Sequence, residues 1–98
     1  MAEVVWSPRA VDDVRAIATH IAEDSIAYAK SVAQKIVAST RRLAVFPRSG
    51  RVVPEFGEES IREVLAYSYR IIYRVEGETV TIAAVVHGKR PVELEIQP

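Results

Sequence analysis

The spacing of apolar residues changes near the middle of this chain, and that change limits the folds open to it. Up to residue 44 the apolar positions recur every three or four residues; from residue 61 they alternate. Val11, Val14, Ile17, Ala18 and Ile21 form one stripe of a helix that Ser7 caps and Pro8 opens, and that stops near Glu23. Asp12 and Asp13 are expected near the positive end of its dipole. Ser25 caps a second helix, in which Ile26, Ala29, Val32, Ala33, Ile36, Val37, Thr40, Leu43 and Ala44 keep the period until Pro47 and Gly50 end it. Helices joined by one or two residues run back to back as a hairpin.

Residues 3–6, ahead of the hairpin, are β-branched and aromatic. Residues 61–66, 69–75 and 79–86 are rich in Val, Ile, Tyr and Thr, with turn signals between them, the clearest at Glu76-Gly77. The expected fold is therefore α+β: an N-terminal strand, an α-helical hairpin and a three-stranded antiparallel meander, with the helices on one face of the sheet. Residues 48–60, with Pro54 and Gly57, are expected to be a surface loop. The 98 residues suit a single domain, 1–98.

Composition removes whole classes of chemistry. The absence of cysteine excludes thiolate nucleophiles, cysteine-ligated zinc and iron–sulfur clusters, and His20 and His87 are too few for a multi-histidine metal site. No metal and no cofactor is expected. No run approaches the roughly 18 apolar residues of a membrane span, and the first residues lack a signal-peptide pattern, so the expectation is a cytoplasmic protein with no membrane contact. The 13 Lys+Arg balance 13 Asp+Glu. Yet no acid lies between Ser25 and Pro54, where Lys30, Lys35, Arg41, Arg42, Arg48 and Arg51 fall. A segregated cationic strip implies an anionic partner, whether RNA, DNA or an acidic peptide, although a solvated helix face gives the same pattern.

Strand alternation then places side chains. Tyr69, Ile71, Tyr73 and Val75 alternate with Arg70, Ile72 and Arg74; Val80, Ile82, Ala84 and Val86 alternate with Thr81, Ala83, Val85 and His87. If the more apolar sets face the helices, an even-length turn at Glu76-Gly77 leaves Arg70, Arg74 and His87 together on a bare face, joined by Arg62. Such a surface could cleave RNA by transphosphorylation, with His87 as acid or base and Arg70 stabilising the pentacovalent phosphate; ordinary solvation also places arginines on open faces. Replacing Arg70 or His87 by Ala is expected to leave folding nearly intact. Trp6, Tyr69 and Tyr73 match the apolar alternation and are expected in the core, whereas Tyr28 and Tyr67 have no assigned place. Glu63 is the nearest carboxylate for a general base, but its parity opposes that of Arg62. His20 lies beside the apolar stripe of the first helix with no second histidine near it.

Five stretches follow one another along the chain: Val5-Trp6-Ser7-Pro8-Arg9-Ala10, the hairpin end Leu43-Ala44-Val45-Phe46-Pro47-Arg48-Ser49-Gly50-Arg51, Ile61-Arg62-Glu63-Val64, Tyr69-Arg70-Ile71-Ile72-Tyr73 and Val85-Val86-His87-Gly88-Lys89-Arg90. In this order and spacing the whole chain resembles the RelE/ParE superfamily of toxins from type II toxin–antitoxin modules. The resemblance implies a helical hairpin against a small antiparallel sheet. RelE-like members are ribosome-dependent mRNA endonucleases, and ParE-like members poison DNA gyrase. Arg70 and His87 match positions that the ribonucleases keep as arginine and as histidine or arginine, so both are carried over as candidates for toxicity or RNA cleavage. Arg51, Arg62, Arg74, Lys89 and Arg90 would contact the target. Against the nuclease stand the lack of any tyrosine after Tyr73, the lack of a lysine cluster on residues 61–66, and an acidic, apolar ending at residues 91–98. The balance favours a ParE-like toxin, with a RelE-like nuclease and an inert module that keeps only antitoxin binding as alternatives. The resemblance also implies a cognate antitoxin in a hetero-oligomer, landing on the acid-free stretch with Lys30, Lys35, Arg41 and Arg42 supplying charge complementarity.

Overall fold

The computed structural model describes residues 1–92; the expectation that the acidic ending cannot grip RNA falls largely on residues 93–98, outside them. The elements run β1 (Glu3–Trp6), α1 (Pro8–Ala22), α2 (Ile26–Arg41), a 3₁₀ turn (Arg42–Ala44), β2 (Arg51–Val52), β3 (Ile61–Ala66), β4 (Tyr69–Glu76) and β5 (Thr79–His87). The expected order holds, with two additions. The second helix tightens into the 3₁₀ turn over its last three residues, and the 48–60 segment contributes the two-residue strand β2.

Both helices begin as their sequences dictate. The Ser7 hydroxyl accepts from the Ala10 N–H and the Ser25 hydroxyl from the Tyr28 N–H, each at 3.1 Å. The first turn of α1 holds no acid. Asp13 does not serve the dipole there; its Oδ2 accepts from the Val85 N–H at 2.9 Å, on β5.

The five strands form one mixed sheet in the order β1-β5-β4-β3-β2, with β1 parallel to β5 and every other pair antiparallel. The β4–β5 hairpin closes through a two-residue turn, Gly77-Glu78, with Gly77 at φ 58°, the backbone such a turn demands at its first central position. The helices cover one face. Val32, Ile36 and Leu43 meet Ile71, Tyr73, Val75, Val80, Ile82 and Val85, with Trp6, Val14, Ile17, Ile21 and Tyr69 packed around them. Trp6, Tyr69 and Tyr73 thus lie in or against the core, as expected.

The other face is not bare. Val53 and Phe56 from the 48–60 segment, together with Val92, lie over Ile61, Ile72, Ala84 and Val86 as a second apolar cluster. The expected surface loop is a lid on the sheet, because Val53 and Phe56 are apolar side chains whose burial removes area from water. It starts at Gly50, whose N–H donates to the Tyr73 hydroxyl at 3.0 Å. A Cβ at Gly50 would collide with the Glu63 carbonyl and, at 2.6 Å, with the Tyr73 oxygen. Burial raises the Tyr73 pKa above its ordinary value, so the hydroxyl stays neutral there. Removing it by Tyr73→Phe strands the buried Gly50 amide and should cost about 1–3 kcal/mol in urea unfolding; an unchanged midpoint would show that this bond does not hold the start of the lid.

Candidate functional site

The register of β4 and β5 decides which side chains share a face. Ile72 pairs with Ala84, but Tyr73 pairs with Ile82, so Ala83 is an extra residue in β5. This bulge sits where β1 ends: the Ser7 N–H donates to the Ile82 carbonyl, and the Ser7 hydroxyl donates to the Ala83 carbonyl at 3.0 Å. The cap of α1 therefore satisfies the backbone that the bulge leaves unpaired. Beyond Ala83 the alternation of β5 reverses. Val80 and Ile82 face the helices as expected, whereas Ala84 and Val86 face the lid.

The reversal separates the expected pair. His87 pairs with Tyr69 on the helix side, and Arg70 pairs with Val86 on the lid side. The His87 ring meets the Tyr69 ring edge-on at 5.8 Å, and its Nδ1 accepts from the Lys89 N–H at 3.3 Å. Arg62 is corrected in the same way. It pairs with Tyr73 on the helix side, where its guanidinium clasps the chain through the Glu59 carboxylate at 2.6 Å and the Gly50 carbonyl at 2.9 Å. Only Arg70 and Arg74 of the four lie where alternation put them, and Arg74 pairs with Glu76 at 3.4 Å.

Arg70 is the centre of the lid face, and it is buried, with a side chain 7% exposed. Its Nε donates to Glu63 Oε1 at 2.7 Å, and one terminal nitrogen reaches the same oxygen at 2.6 Å. That nitrogen also donates to Glu55 Oε1 at 2.8 Å, while the other donates to Glu55 Oε2 at 2.7 Å and to the Arg90 carbonyl at 3.4 Å. Four of these contacts are hydrogen bonds, through all three guanidinium nitrogens, and the fifth is a close ion pair. Glu63, 1% exposed, takes its remaining charge partner from Arg51, whose Nε lies 2.6 Å from Oε2. The Arg70 guanidinium holds the Glu55 carboxyl down at about 2, and the two carboxylates raise the Arg70 pKa above an already high value. Glu55 Oε2 also accepts from the Val92 N–H at 3.3 Å. One arginine thus ties β4 to β3, to the lid and to the chain leaving β5.

What stays accessible lies at the rim. A hollow of about 320 Å³ beside the β3–β4 turn is lined by Arg51, Leu65, Tyr67, Ser68, Arg70, His87, Gly88 and Lys89. Arg51 is 66% exposed there despite its bond to Glu63, and Lys89 and Arg90 are exposed. The two unplaced tyrosines meet at this end: Tyr67, at φ 53° in the turn, lies with its ring 6.4 Å from that of Tyr28 on α2, and both rings are exposed. Lys30, Lys35, Arg41 and Arg42 are all exposed, but at about 100° per residue they form two ridges, Lys30 with Arg41 and Lys35 with Arg42. His20 is exposed in the last turn of α1. Among the described residues no cluster of three metal-ligating side chains occurs.

Sequence reasoning missed Glu55 and the weight of Glu63. The signal for Glu63 was a carboxylate at a position that alternates with Ile61 and Leu65 inside a paired strand, where an unpartnered charge is costly. The expectation that Arg70→Ala leaves folding intact does not survive its burial. That substitution leaves the buried Glu63 with Arg51 as its one charge partner and takes the guanidinium from Glu55, and should cost about 3–5 kcal/mol, lowering Tm by more than about 10 °C, whereas Arg70→Met combined with Glu63→Leu should recover most of the loss. His87→Ala, at an exposed position, should change stability by no more than about 0.5 kcal/mol. Because the folded Glu55 pKa lies below its ordinary 4.5, its contribution is complete above that value and fades as pH falls towards about 2. The stability difference between the wild type and Glu55→Gln should therefore shrink over that interval; a constant difference would mean that the Glu55 charge does not hold the lid.

A family model described as the ParE toxin of the type II toxin–antitoxin system parDE matches residues 4–92. Toxin RelE2 of Caulobacter vibrioides is 33% identical over 91 residues, covering 92% of this chain and 99% of that protein. A solved structure from the chromosomal ParDE TA system of P. aeruginosa superposes with a TM-score of 0.74 at 21% identity, over 89% of this chain and 96% of that one, and so shares its fold. With the fold, the span and the family match in agreement, this chain belongs to the ParE toxin family of type II toxin–antitoxin systems, within the RelE/ParE superfamily.

Proposed function

We propose that this chain arrests growth by binding and poisoning DNA gyrase, and that a cognate antitoxin neutralises it in a hetero-oligomer. The observation that carries this reading is the engagement of Arg70, all three of whose guanidinium nitrogens are held by Glu55, Glu63 and the Arg90 carbonyl. A charge stabiliser for a pentacovalent phosphate needs donors aimed at the reacting oxygens, and supplying them here would break the ion pairs of Arg70 with Glu55 and the buried Glu63. Arg70 is then a positioning residue. Arg51, Lys89 and Arg90, exposed at the rim, are the cations left to meet the target, while Arg62 holds the chain and Arg74 pairs with Glu76 along β4. The antitoxin would approach the two cationic ridges of α2, where charge steers the encounter and apolar contacts retain it.

A RelE-like nuclease is the second reading, favoured by one feature: His87 shares its hollow with Arg51, Lys89 and the exposed Tyr67. Expression from a tightly controlled promoter separates the two. Growth arrest with gyrase trapped on broken DNA and messages intact is the expected result. Messages cut at fixed codon positions on ribosomes, with DNA intact, would replace this reading with the nuclease, and unhindered growth would leave a module that only binds antitoxin. His87→Ala should weaken arrest by less than about tenfold; a loss of about 10²–10³ would mark a residue acting in the chemical step.

A further inference from the structure

The buried ion pairs of the lid face form one line that runs from the rim to the lid. Arg51, exposed at the rim, donates from its Nε to Glu63 Oε2, and the other oxygen of the buried Glu63 accepts from Arg70. Arg70 in turn reaches Glu55 in the lid. The signs alternate, so each interior member is held from both sides. Two main-chain groups of the segment that leaves β5 are tied to the far end of the line: the Val92 N–H donates to Glu55 Oε2 at 3.3 Å, and the Arg90 carbonyl accepts from Arg70 at 3.4 Å. That segment carries Lys89 and Arg90, the other two exposed cations of the rim.

One nitrogen in this line is shared. A terminal nitrogen of Arg70 lies 2.6 Å from Glu63 Oε1 and 2.8 Å from Glu55 Oε1, so the two carboxylates compete for it. While Arg51 holds Glu63 Oε2, the charge of Glu63 is divided between two guanidinium groups, and Glu55 keeps its bidentate hold on Arg70. Drawing Arg51 into solvent leaves Glu63 dependent on Arg70 alone, because a carboxylate this deeply buried has no water to replace the lost partner. Arg70 then turns its shared nitrogen to Glu63, and the hold on Glu55, Val92 and Arg90 slackens. Arg51 is the one member of the line whose side chain is mostly exposed, and so the one that a bound anion reaches first.

We infer that this line of charges is a release device: an anionic group of the target that engages Arg51 at the rim loosens residues 89–92 and frees Lys89 and Arg90 to close on the same target. It rests on the reading of these three cations as the groups that meet the target, and it makes them a coupled set instead of three independent charges. Coupling between sites is reciprocal, so a target held by Lys89 and Arg90 also weakens the grip of Glu63 on Arg51. Arg62 and Arg74 stand outside the line, paired with Glu59 and Glu76.

The test uses the full chain, isotopically labelled, and reads amide hydrogen exchange at Val92, which is far from Arg51 in sequence. Arg51→Ala should speed exchange there by about fivefold or more, the lower end of typical coupling between sites, and leave the Ile36 amide in the helical core unchanged. Arg51→Lys, which keeps the charge, should restore most of the protection. Glu63→Gln removes the link, so in that background Arg51→Ala should make no further difference. Tripolyphosphate should speed Val92 exchange in the wild type, do so more than sodium chloride at the same ionic strength, and add little to Arg51→Ala. The inference falls if Val92 does not respond to Arg51→Ala, or if Val92 and Ile36 speed up together, which marks a general loss of stability. It also falls if Arg51→Ala acts equally in the Glu63→Gln background, or if tripolyphosphate does no more than chloride. Exchange at Val92 is read without gyrase, so failure here leaves the gyrase reading to be decided by DNA trapping.

Discussion

A guanidinium held between two carboxylates in the interior of a small sheet fixes the arrangement of everything on that side of the molecule. Arg70 reaches Glu63 across the β3–β4 ladder, Glu55 in the lid and the carbonyl of Arg90 beyond β5, so three segments distant in sequence meet on one planar group. Removing water from three charges is costly, and a well-packed apolar substitute would often be as stable. What the ion cluster supplies is a defined geometry: the bidentate contact with Glu55 admits one placement of residues 53–56, which seats Val53 and Phe56 over Ile72 and Ala84. In a domain whose whole stability is of the order of 5–15 kcal/mol, breaking that cluster from one side takes a large share.

The helices and the three C-terminal strands were legible in the sequence because their signals are local. The Ser7-Pro8 and Ser25 caps, the 3.6-residue stripes and the Gly77 turn each act within a few residues, and each agrees with the packing that surrounds it. The side-chain faces were less legible. Ala83 looks like any other strand residue, yet it is the bulge that sends Val86 and His87 to opposite sides from those expected. Its cause is tertiary, since the Ser7 cap at the start of α1 and Asp13 within it take the backbone groups freed around it. No periodicity in residues 79–87 records a contact with residues 7 and 13.

The lid was misread for a different reason. Pro54, Gly57 and a run of charges mark residues 48–60 as irregular, which they are, but irregular backbone is not the same as exposed backbone. The pattern Val53-Pro54-Glu55-Phe56 carries two apolar side chains and one carboxylate, and all three are used against the sheet. Glu63 offered the matching clue on β3. Two carboxylates and an arginine in a chain with so small an interior are more economically explained by pairing with one another than by three separate surface roles.

With Arg62 and Arg70 engaged in holding the chain and Arg74 paired with Glu76, the exposed cations on the lid side lie at the rim of the sheet and not on its face. There the exposed Arg51 and Lys89 border one hollow with Leu65 and the turn at Tyr67, whose positive φ is an uncommon conformation for a bulky side chain and costs of the order of 1–3 kcal/mol. The turn bears that cost on a rigid support, since the strands on either side of it are pinned by the Arg70 cluster one residue pair away, at Leu65 and Arg70. Cations and aromatic rings thus stand together on a stiff edge, with the central arginine turned inward. The bulge at Ala83 sends the Arg70 and His87 side chains to opposite faces of the sheet, and both border the hollow beside the β3–β4 turn only at the rim.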